Sequence, residues 1–333
     1  MPNLYVTEPG ATVTREYERI VVIKSGEVLL DVPAIKVENV VLVGNVGVTT
    51  PALGQLLDRG IGLVLLSSHG ELRGRLSADR SVNTALRRAQ YERSRDPAFR
   101  LSFARSCVAA KLHNSRAFCL RWARDGVDVA ADSAARLAEL EASLEQAGTE
   151  PLVRAVEAQG ARAYFRAFRG KLRPGWEFPS RRRRPPPDPV NALLGATYTL
   201  LGEAIYSAVV LAGLDPYCGF YHAERPGRPA LVLDLLEEMR ALIADSVTLL
   251  LINKRVLAPD DFRPGPPERP IILEPSGYRK VLSQFNARLR TGVQPPGTAG
   301  RQTTYQRIFE LQARRLAATI GGRSTSYQAF RTR

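Results

Sequence analysis

The sequence predicts an α+β protein in which a small β-rich domain precedes a larger helical domain. Apolar residues recur with a period of two before about Val82 and with a period of 3.6 after it. Turn signals such as Ser25-Gly26 separate short apolar runs in the first part. A chain of 333 residues is long enough for two domains. We therefore expect a β-rich domain at residues 1–80 and an α-helical domain at residues 81–333.

The β-rich domain begins with a predicted strand at Leu4–Thr7. Ile20–Lys24 and Val28–Val32 flank the Ser25-Gly26 turn, which predicts a hairpin. The other predicted strands are Ile35–Val43, Ile61–Leu66 and Glu71–Leu76.

One predicted helix lies among these strands, and the second domain holds the others. We expect Thr50 to cap the first helix, Pro51 to occupy its first helical position and Gly60 to end it. Ser133 and Thr149 are the predicted caps of two later helices. The predicted helices of the second domain are Val82–Asp96, Phe99–Asp125, Ser133–Gln146, a helix following Thr149, Asn191–Gly213, Leu231–Lys254, Ser276–Leu289 and Thr304–Ile320.

The helix that follows Thr149 carries a predicted buried stripe of Leu152, Val156, Gly160 and Tyr164. Glycine costs about 1 kcal/mol relative to alanine inside a helix. Gly160 therefore indicates a close approach by another backbone or by a ligand, or a plain packing constraint.

A proline-rich linker separates two parts of the helical domain. Pro185–Pro189 excludes a helix, so we expect the preceding Arg181–Arg184 run to lie on an extended, exposed segment. A second Pro-rich loop is expected at Pro259–Pro270. Residues 292–300 are rich in Gly and Pro and are expected to be disordered.

The composition favours an intracellular protein that binds polyanions. The chain has 47 Lys and Arg against 33 Asp and Glu, a formal net charge of +14. Three scattered cysteines form no disulfide framework, and the first ten residues do not have the pattern of a signal peptide. No apolar run reaches the length that spans a bilayer. We expect a soluble, cytoplasmic protein that has no membrane partner.

A histidine and an acidic cluster flank a Pro/Gly-rich turn. His222 precedes Arg225–Pro229, and Asp234 and Glu237 lie three apart, on one face of a helix. An imidazole combined with carboxylates suits Mn²⁺ or Mg²⁺ better than a structural zinc. The alternative is that Arg240 neutralises Glu237 in an ordinary ion pair and that His222 is a packed or surface histidine.

Basic residues accompany every acidic candidate, as expected of a surface that binds nucleic acid. The alternatives are a solvated arginine loop and helix C-terminal cations that interact with the dipole. The candidate DNA-binding residues are Arg162, Arg166, Arg181, Arg182, Arg183, Arg184, Arg225, Arg228, Lys254 and Arg255. GxSxG, HExxH, P-loop and GxGxxG motifs are absent from the sequence.

Taken together, several segments resemble the CRISPR-associated integrases of the spacer-acquisition module, the first of the Cas proteins. The resemblance covers essentially the whole chain. The segments that carry it are Val153–Phe165, Arg182–Leu194 and Gly219–Arg240, with Leu86–Tyr91, Ile252–Arg255 and Gln312–Leu316. The Leu4–Thr7 opening and the Arg225–Pro229 turn resemble the subtype I-C branch. Ala158, Tyr221, Ala230 and Met239 depart from the family's usual residues, and none is expected to touch a ligand.

The resemblance implies an N-terminal β-sandwich, which provides a dimer surface, and a C-terminal all-α catalytic domain. It implies that Glu157, His222 and Glu237 are catalytic and hold one divalent metal, Mg²⁺ or Mn²⁺, with Asp234 as a supporting acidic residue.

The implied reaction is a transesterification in which the 3′-OH of a captured double-stranded DNA fragment attacks a phosphodiester of the CRISPR repeat. The implied partners are a second copy of the chain and a small ferredoxin-like second Cas protein. A non-catalytic basic assembly protein that binds nucleic acid is the competing hypothesis, and an RNA-directed nuclease is a third.

Overall fold

The computed structural model of the chain describes residues 3–76, 83–182, 185–295 and 302–332, and its fold is mixed α+β. The strands are β1 (Asn3–Val6), β2 (Thr12–Glu16), β3 (Arg19–Lys24), β4 (Glu27–Pro33), β5 (Asn39–Val43), β6 (Gly47–Val48), β7 (Gly62–Leu66), β8 (Leu72–Leu76), β9 (Phe262–Pro264), β10 (Ile271–Leu273), β11 (Gly292–Val293) and β12 (Thr303–Thr304). The helices are α1 (Thr50–Arg59), α2 (Thr84–Ser94), α3 (Pro97–Arg124), α4 (Asp128–Ser143), α5 (Glu150–Lys171), α6 (Pro189–Leu211), α7 (Ala230–Leu236), α8 (Ser246–Asn253), α9 (Pro275–Leu289) and α10 (Tyr305–Ile320).

The strands of residues 3–76 form two four-stranded sheets. One has the order β1-β5-β7-β8, with β1, β5 and β7 parallel, and the other has the order β4-β3-β2-β6. Successive side chains of a strand point to opposite faces. Accordingly, Val40 and Leu42 of β5 enter a core shared by both sheets and α1, whereas Val41 and Val43 enter the helical core. The first sheet is therefore covered on both faces and packs directly against the helices.

Local turn chemistry forms the elements where the sequence predicts them. The β3–β4 hairpin turns through Ser25 and Gly26, whose φ angles are 51° and 86°, as the right-handed twist of a tight hairpin requires. Gly60 ends α1 with φ of 70° in the left-handed region. The cap of α1 is Thr49 and not Thr50, because the Thr49 side chain accepts the Ala52 N–H.

Two sequence predictions place the start of an element at the wrong residue. The predicted strand Ile35–Val43 is a 3₁₀ turn at Ala34–Lys36 followed by β5. Ser133 does not cap a helix, since it is buried inside α4, which begins at Asp128. In both segments, long-range packing decides where the element starts.

The helical region also contains short strands, so the expectation of an all-α second domain is wrong in detail. β9 pairs antiparallel with β10 inside the predicted Pro-rich loop, and β11 pairs antiparallel with β12. The β11 strand lies within the 292–300 stretch expected to be disordered, and residues 296–300 of that stretch lie outside the described residues. The predicted domain boundary at residues 80 and 81 also lies outside the described residues.

By length and composition alone, α6 is apolar enough to cross a membrane, which corrects the expectation that no run reaches that length. It is the one such helix in the part of the chain that the structure describes. Its buried residues, including Leu193, Leu194 and Leu201, belong to the main core, where α6 packs against α7 and α10. Core packing explains its composition.

The buried face of α5 differs from the predicted stripe by about one residue. Val153 and Phe168 are buried with Gly160 and Tyr164, whereas Leu152 is 51% exposed. A Cβ on Gly160 would collide with the buried side chain of Leu112 on α3. Gly160 is therefore a packing residue that lets α5 approach α3.

Replacing Gly70 with Ala is expected to destabilise the fold by about 2 to 4 kcal/mol. Gly70 has φ of +81°, and a Cβ there would collide with the ring of buried Tyr278 on α9. Gly10→Ala is the matched control, because Gly10 has φ of +80° and open space around it. Backbone strain alone should cost about 1 kcal/mol there. Equal losses of thermal stability in the two variants would contradict the packing role of Gly70.

Candidate functional site

Three side chains from distant parts of the sequence converge beside α3. Glu157 lies on α5, His222 lies between α6 and α7, and Glu237 directly follows α7. The Lys111 ammonium of α3 lies 2.5 Å from Glu157 Oε1 and 2.8 Å from Glu237 Oε2. His222 Nε2 lies 3.6 Å from Glu237 Oε1. Folding therefore places the ammonium group between two carboxylates and brings the imidazole to the second of them.

Asp234 holds the His222 imidazole in place. Asp234 Oδ1 accepts hydrogen bonds from the backbone N–H of His222 at 2.7 Å and from Nδ1 at 2.8 Å. Asp234 Oδ2 accepts from the backbone N–H groups of Phe220 and Tyr221 at 2.7 and 3.1 Å. Because a carboxylate only accepts, Nδ1 carries a proton, and Nε2 faces Glu237. Both oxygens of Asp234 are occupied, so this residue positions the imidazole.

Glu237 is a buried carboxylate held by two cations. Arg240 Nη2 donates to Oε1 at 2.8 Å, so the ion pair considered from the sequence is present, and Lys111 contacts Oε2. Burial alone would raise the pKa of Glu237, but the charges of Arg240, Lys111 and His222 outweigh burial and lower it. Likewise, burial would lower the pKa of Lys111, yet Glu237 and then Glu157 raise it. Lys111, Arg240 and Glu237 are therefore all ionised.

Tyr221 contacts the site, contrary to the expectation that the residues departing from the family pattern touch no ligand. Its hydroxyl donates to Glu157 Oε2 at 2.5 Å, and the Arg154 guanidinium lies 4.6 Å from the centroid of its ring. Burial and then the charge of Glu157 raise the pKa of Tyr221 well above its usual value. The hydroxyl therefore keeps its proton and holds Glu157 in one orientation.

An irregular backbone segment positions Glu237 and Arg240. The predicted continuous helix Leu231–Lys254 is interrupted after α7, and Ala241–Asp245 forms a π-helical turn before α8. In that turn the Asp245 N–H donates to Arg240 O, five residues earlier, at 3.0 Å. Single π-helical turns inside helices occur frequently at functional sites.

A cavity of about 570 Å³ opens beside Lys111 and Glu157. Arginines from α5 and from the segment before α6 line it, namely Arg162, Arg166, Arg169 and Arg181. Tyr164 and Phe165 add aromatic surface to the same wall. A pocket with guanidinium groups next to paired carboxylates can bind a phosphate while a cation is held beside it.

The Arg181 side chain is half-buried in the wall of this cavity, which corrects the sequence prediction for this residue, whereas its neighbours Ser180 and Arg182 are exposed as predicted. Its Nη1 donates to Asn191 Oδ1 at 2.8 Å, and its guanidinium lies 5.2 Å from the centroid of the Tyr198 ring. The Tyr198 hydroxyl in turn donates to Asp245 Oδ1 at 2.6 Å. Burial raises the pKa of Asp245 to about 6, although Tyr198 and Arg240 act to lower it.

Arg183 and Arg184 lie outside the described residues, and the other described candidates for DNA binding are not part of this cavity wall. Those that are described are exposed or half-exposed: Arg182 before α6, Arg225 and Arg228 in the turn after His222, and Lys254 and Arg255 at the end of α8.

Sequence reasoning missed Lys111 and the role of Tyr221. Lys111 is a charged residue inside the apolar run Cys107–Leu112, and this interruption was the signal that could have identified it. Burial of a lysine requires nearby carboxylates, so a lysine on the apolar face of a predicted helix indicates an acidic partner elsewhere in the fold.

No group of three or more His, Cys, Asp or Glu side chains in the described part of the chain stands ready to hold a metal ion directly. At the candidate site, the Lys111 ammonium lies between the two carboxylates. The donor set itself suits Mg²⁺ or Mn²⁺, since it combines two carboxylates with an imidazole nitrogen, Nε2 of His222. Glu237 Oε2 also accepts no hydrogen bond of good geometry, although the ammonium is 2.8 Å away.

Comparisons with known proteins agree on one family. The family described as "CRISPR associated protein Cas1" matches residues 4–287. The CRISPR-associated endonuclease Cas1 3 of Thermus thermophilus is 36% identical over 334 residues, which cover 99% of this chain and 97% of that protein. The CRISPR-associated exonuclease Cas4/endonuclease Cas1 fusion of Rhodospirillum rubrum is also 36% identical, over 98% of this chain. This chain spans 57% of the length of that fusion protein.

Solved structures share the fold. A casposase bound to integration product superposes with a TM-score of 0.82 at 21% identity, over 98% of this chain and 93% of that chain. A chain of a Cas6-RT-Cas1–Cas2 complex superposes with a TM-score of 0.80 at 23% identity, over 98% of this chain and 36% of that chain. These likenesses establish the fold, and the family match with the 36% identity establishes descent. This chain therefore belongs to the Cas1 family of CRISPR-associated proteins.

Proposed function

We propose that this chain is a metal-dependent DNA endonuclease and integrase that inserts new spacers into a CRISPR array. The observation that carries the proposal is the convergence of Glu157, His222 and Glu237 beside an arginine-lined cavity. Relatives named as Cas1 endonucleases and a fold neighbour bound to an integration product support the same reaction class.

Glu157, His222 and Glu237 are proposed to hold one divalent ion, Mg²⁺ or Mn²⁺. Two observations support this assignment: Asp234 orients the His222 ring so that Nε2 faces Glu237, and the Oε2 of Glu237 lacks a well-aligned donor. When bound, the ion supplies Lewis acidity at a phosphoryl oxygen and charge stabilisation in the transition state. Asp234 is proposed to act through His222, whose proton and ring orientation it fixes.

The chain's own residues are proposed to bind and orient two DNA strands. Arg162 and Arg166 would hold phosphates beside the reacting group without reading sequence. The 3′ oxygen of the fragment forms a new P–O bond, the bond to the leaving 3′ oxygen of the repeat strand breaks, and a proton passes from the first oxygen to the second through solvent. Water in place of the 3′-OH gives hydrolysis. Tyr221 is a poor nucleophile because its raised pKa keeps it protonated, so no protein–DNA intermediate is proposed.

The assembly is also a proposal. Residues 1–80 would form the dimer surface and residues 81–333 the catalytic, metal-binding and DNA-binding domain, as the resemblance implies. A complex with a small second Cas protein is supported by a fold neighbour whose structure is described as a Cas6-RT-Cas1–Cas2 complex. Double-stranded DNA would be the substrate in the cytoplasm. The Leu4–Thr7 opening and the Arg225–Pro229 turn support placement in the subtype I-C branch.

Glu157→Gln and His222→Ala are expected to reduce metal-dependent strand transfer by about 10²-fold or more, since each removes a ligand from the site. DNA affinity should stay nearly unchanged, because neither residue is a cation that contacts phosphate. Strand transfer is measured with a fragment bearing a free 3′-OH and a labelled repeat duplex in Mg²⁺ or Mn²⁺, and EDTA should abolish it.

Glu139→Gln is the matched control, because Glu139 is exposed on α4 and pairs with Arg136. A His222→Ala protein that retains full strand transfer would remove His222 from the site. If the unaltered chain binds DNA but neither cuts nor joins it in either metal, the non-catalytic assembly protein is the correct assignment. Cutting of RNA alone would favour the RNA-directed nuclease.

Lys111→Met is expected to destabilise the metal-free protein by about 3 kcal/mol, because it removes a cation from the buried carboxylate of Glu237 and the partly buried carboxylate of Glu157. The change is measured as thermal unfolding in EDTA. Lys171→Met, which removes a more exposed ion pair with Asp125, should change the melting temperature little. Adding Glu237→Gln to Lys111→Met should recover part of the loss, since the unpaired charge is removed. Similar losses for Lys111 and Lys171 would contradict the proposed electrostatics.

A further inference from the structure

We call the cavity beside Lys111 and Glu157 the catalytic cavity. A second basic cavity lies on the other side of α3 from it. Its volume is about 460 Å³, and α3, α9 and the start of α10 enclose it. Lys111 and Ser115 of α3 line the catalytic cavity, whereas Arg116, Arg121 and Arg124 line the second one. At 3.6 residues per turn, these two sets of positions project from different sides of the helix. The second cavity is therefore separate from the site built around Glu157.

The charge of this cavity is unbalanced. Four arginines line it, the fourth being Arg288 of α9, and none of its described lining residues is an Asp or a Glu. The nearby carboxylates already have cationic partners: Asp125 pairs with Lys171, and Glu141 pairs with Arg331 and lies near His113. Like charges gathered in a concave surface raise its free energy unless an anion binds there.

The guanidinium group of Arg288 is held in place before any ligand arrives. Arg288 donates from Nε and Nη2 to Leu242 O at 2.8 and 2.7 Å, and it lies 4.9 Å from the centroid of the Tyr305 ring. Arg121 lies 5.6 Å from the centroid of the Phe118 ring. Burial lowers the pKa of Arg288, and the charge of Arg121 adds to this effect while Tyr305 opposes it. Fixed guanidinium groups bind phosphate oxygens with a smaller loss of side-chain entropy.

The spacing of the arginines favours an extended polyanion over a single phosphate. Arg116 and Arg124 are eight positions apart on one helix, which is about 12 Å along its axis. A DNA strand presents one phosphate for about every 3.4 Å of duplex axis, so this span matches several phosphates. Arg121 and Arg124 are exposed, which leaves the row open to a long ligand.

We propose that Arg116, Arg121, Arg124 and Arg288 form a second DNA-binding site, which holds the phosphate backbone of a duplex segment on the side of α3 opposite the catalytic cavity. The proposal rests on the proposed function for the identity of the polyanion. A strand-transfer enzyme must hold two DNA segments, and a second basic cavity gives one segment a place away from the reacting phosphate.

The test is the salt dependence of duplex binding by the full-length triple variant Arg116→Gln/Arg121→Gln/Arg124→Gln. The magnitude of the negative slope of log affinity against log salt should decrease by about 2 to 3, because each phosphate contact contributes about 0.9 to that magnitude. Affinity at low salt should fall about tenfold or more. The matched control is Arg19→Gln/Arg93→Gln/Arg136→Gln, which removes the same charge from exposed or half-exposed arginines that already pair with carboxylates. The control should leave the slope close to that of the unaltered chain.

Further variants keep the result interpretable. Lysine at the three cavity positions retains the charge and should retain most of the slope, which guards against a folding defect in the glutamine variant. The variant Arg162→Gln/Arg166→Gln, which alters the catalytic cavity, should lower the magnitude of the salt-dependence slope independently. Its effect should therefore add to that of the triple variant. Equal slopes for the triple variant and its control would overturn the proposal.

Inorganic phosphate distinguishes a free anion from a DNA backbone. At constant ionic strength, phosphate should compete only weakly with the duplex. If phosphate displaces the duplex at low concentration and stabilises the unaltered chain but not the triple variant, the cavity is a site for a small phosphate ligand and the DNA assignment is wrong. The outcome is independent of catalysis: a chain that joins no DNA but shows the expected loss of slope would refute the proposed function and leave this site standing.

Discussion

The ammonium of Lys111, shared between Glu157 and Glu237, is the interaction on which the rest of the site depends. It joins α3, α5 and the end of α7 at one point, where the two carboxylates alone would repel each other in a poorly solvated environment. Arg240 adds a second cation to Glu237. Two negative and two positive charges are thus balanced within a few ångströms, and the arrangement of the carboxylates is coupled to the packing of three helices.

The carboxylate of Glu238, the residue after Glu237, binds the segment that follows α10. Glu238 accepts hydrogen bonds from the Tyr327 hydroxyl at 2.7 Å and from the Phe330 backbone N–H. Burial raises the pKa of Glu238 to about 7, against the effect of these donors. Asn114 of α3 donates to the carbonyls of both Glu238 and Phe330. The segment after α10 is therefore bound to the same part of α3 that carries Lys111, which stabilises the framework of the site.

Local signals in the sequence were sufficient for much of the fold. The Ser25-Gly26 hairpin and the end of α1 at Gly60 depend on φ angles that neighbouring residues determine, and both are observed. Ser133 failed as a predicted cap because the packing of α4 against α3 and α5 extends the helix to Asp128. The short β9–β10 pair was missed because the pairing of two three-residue strands has no periodicity long enough to detect.

For the site, the sequence by itself determined the types of residue: an excess of basic charge, a histidine before a turn, and carboxylates at helical spacing. Resemblance to a family added Glu157 to that group. Only the tertiary structure decided that Lys111 lies between the carboxylates, that Tyr221 holds Glu157, that Arg181 turns inward onto Tyr198, and that the arginines of α3 face a second cavity. The physical reason is that spacing along a chain fixes which face of an element a residue occupies, whereas the contacts of that face depend on how distant elements pack.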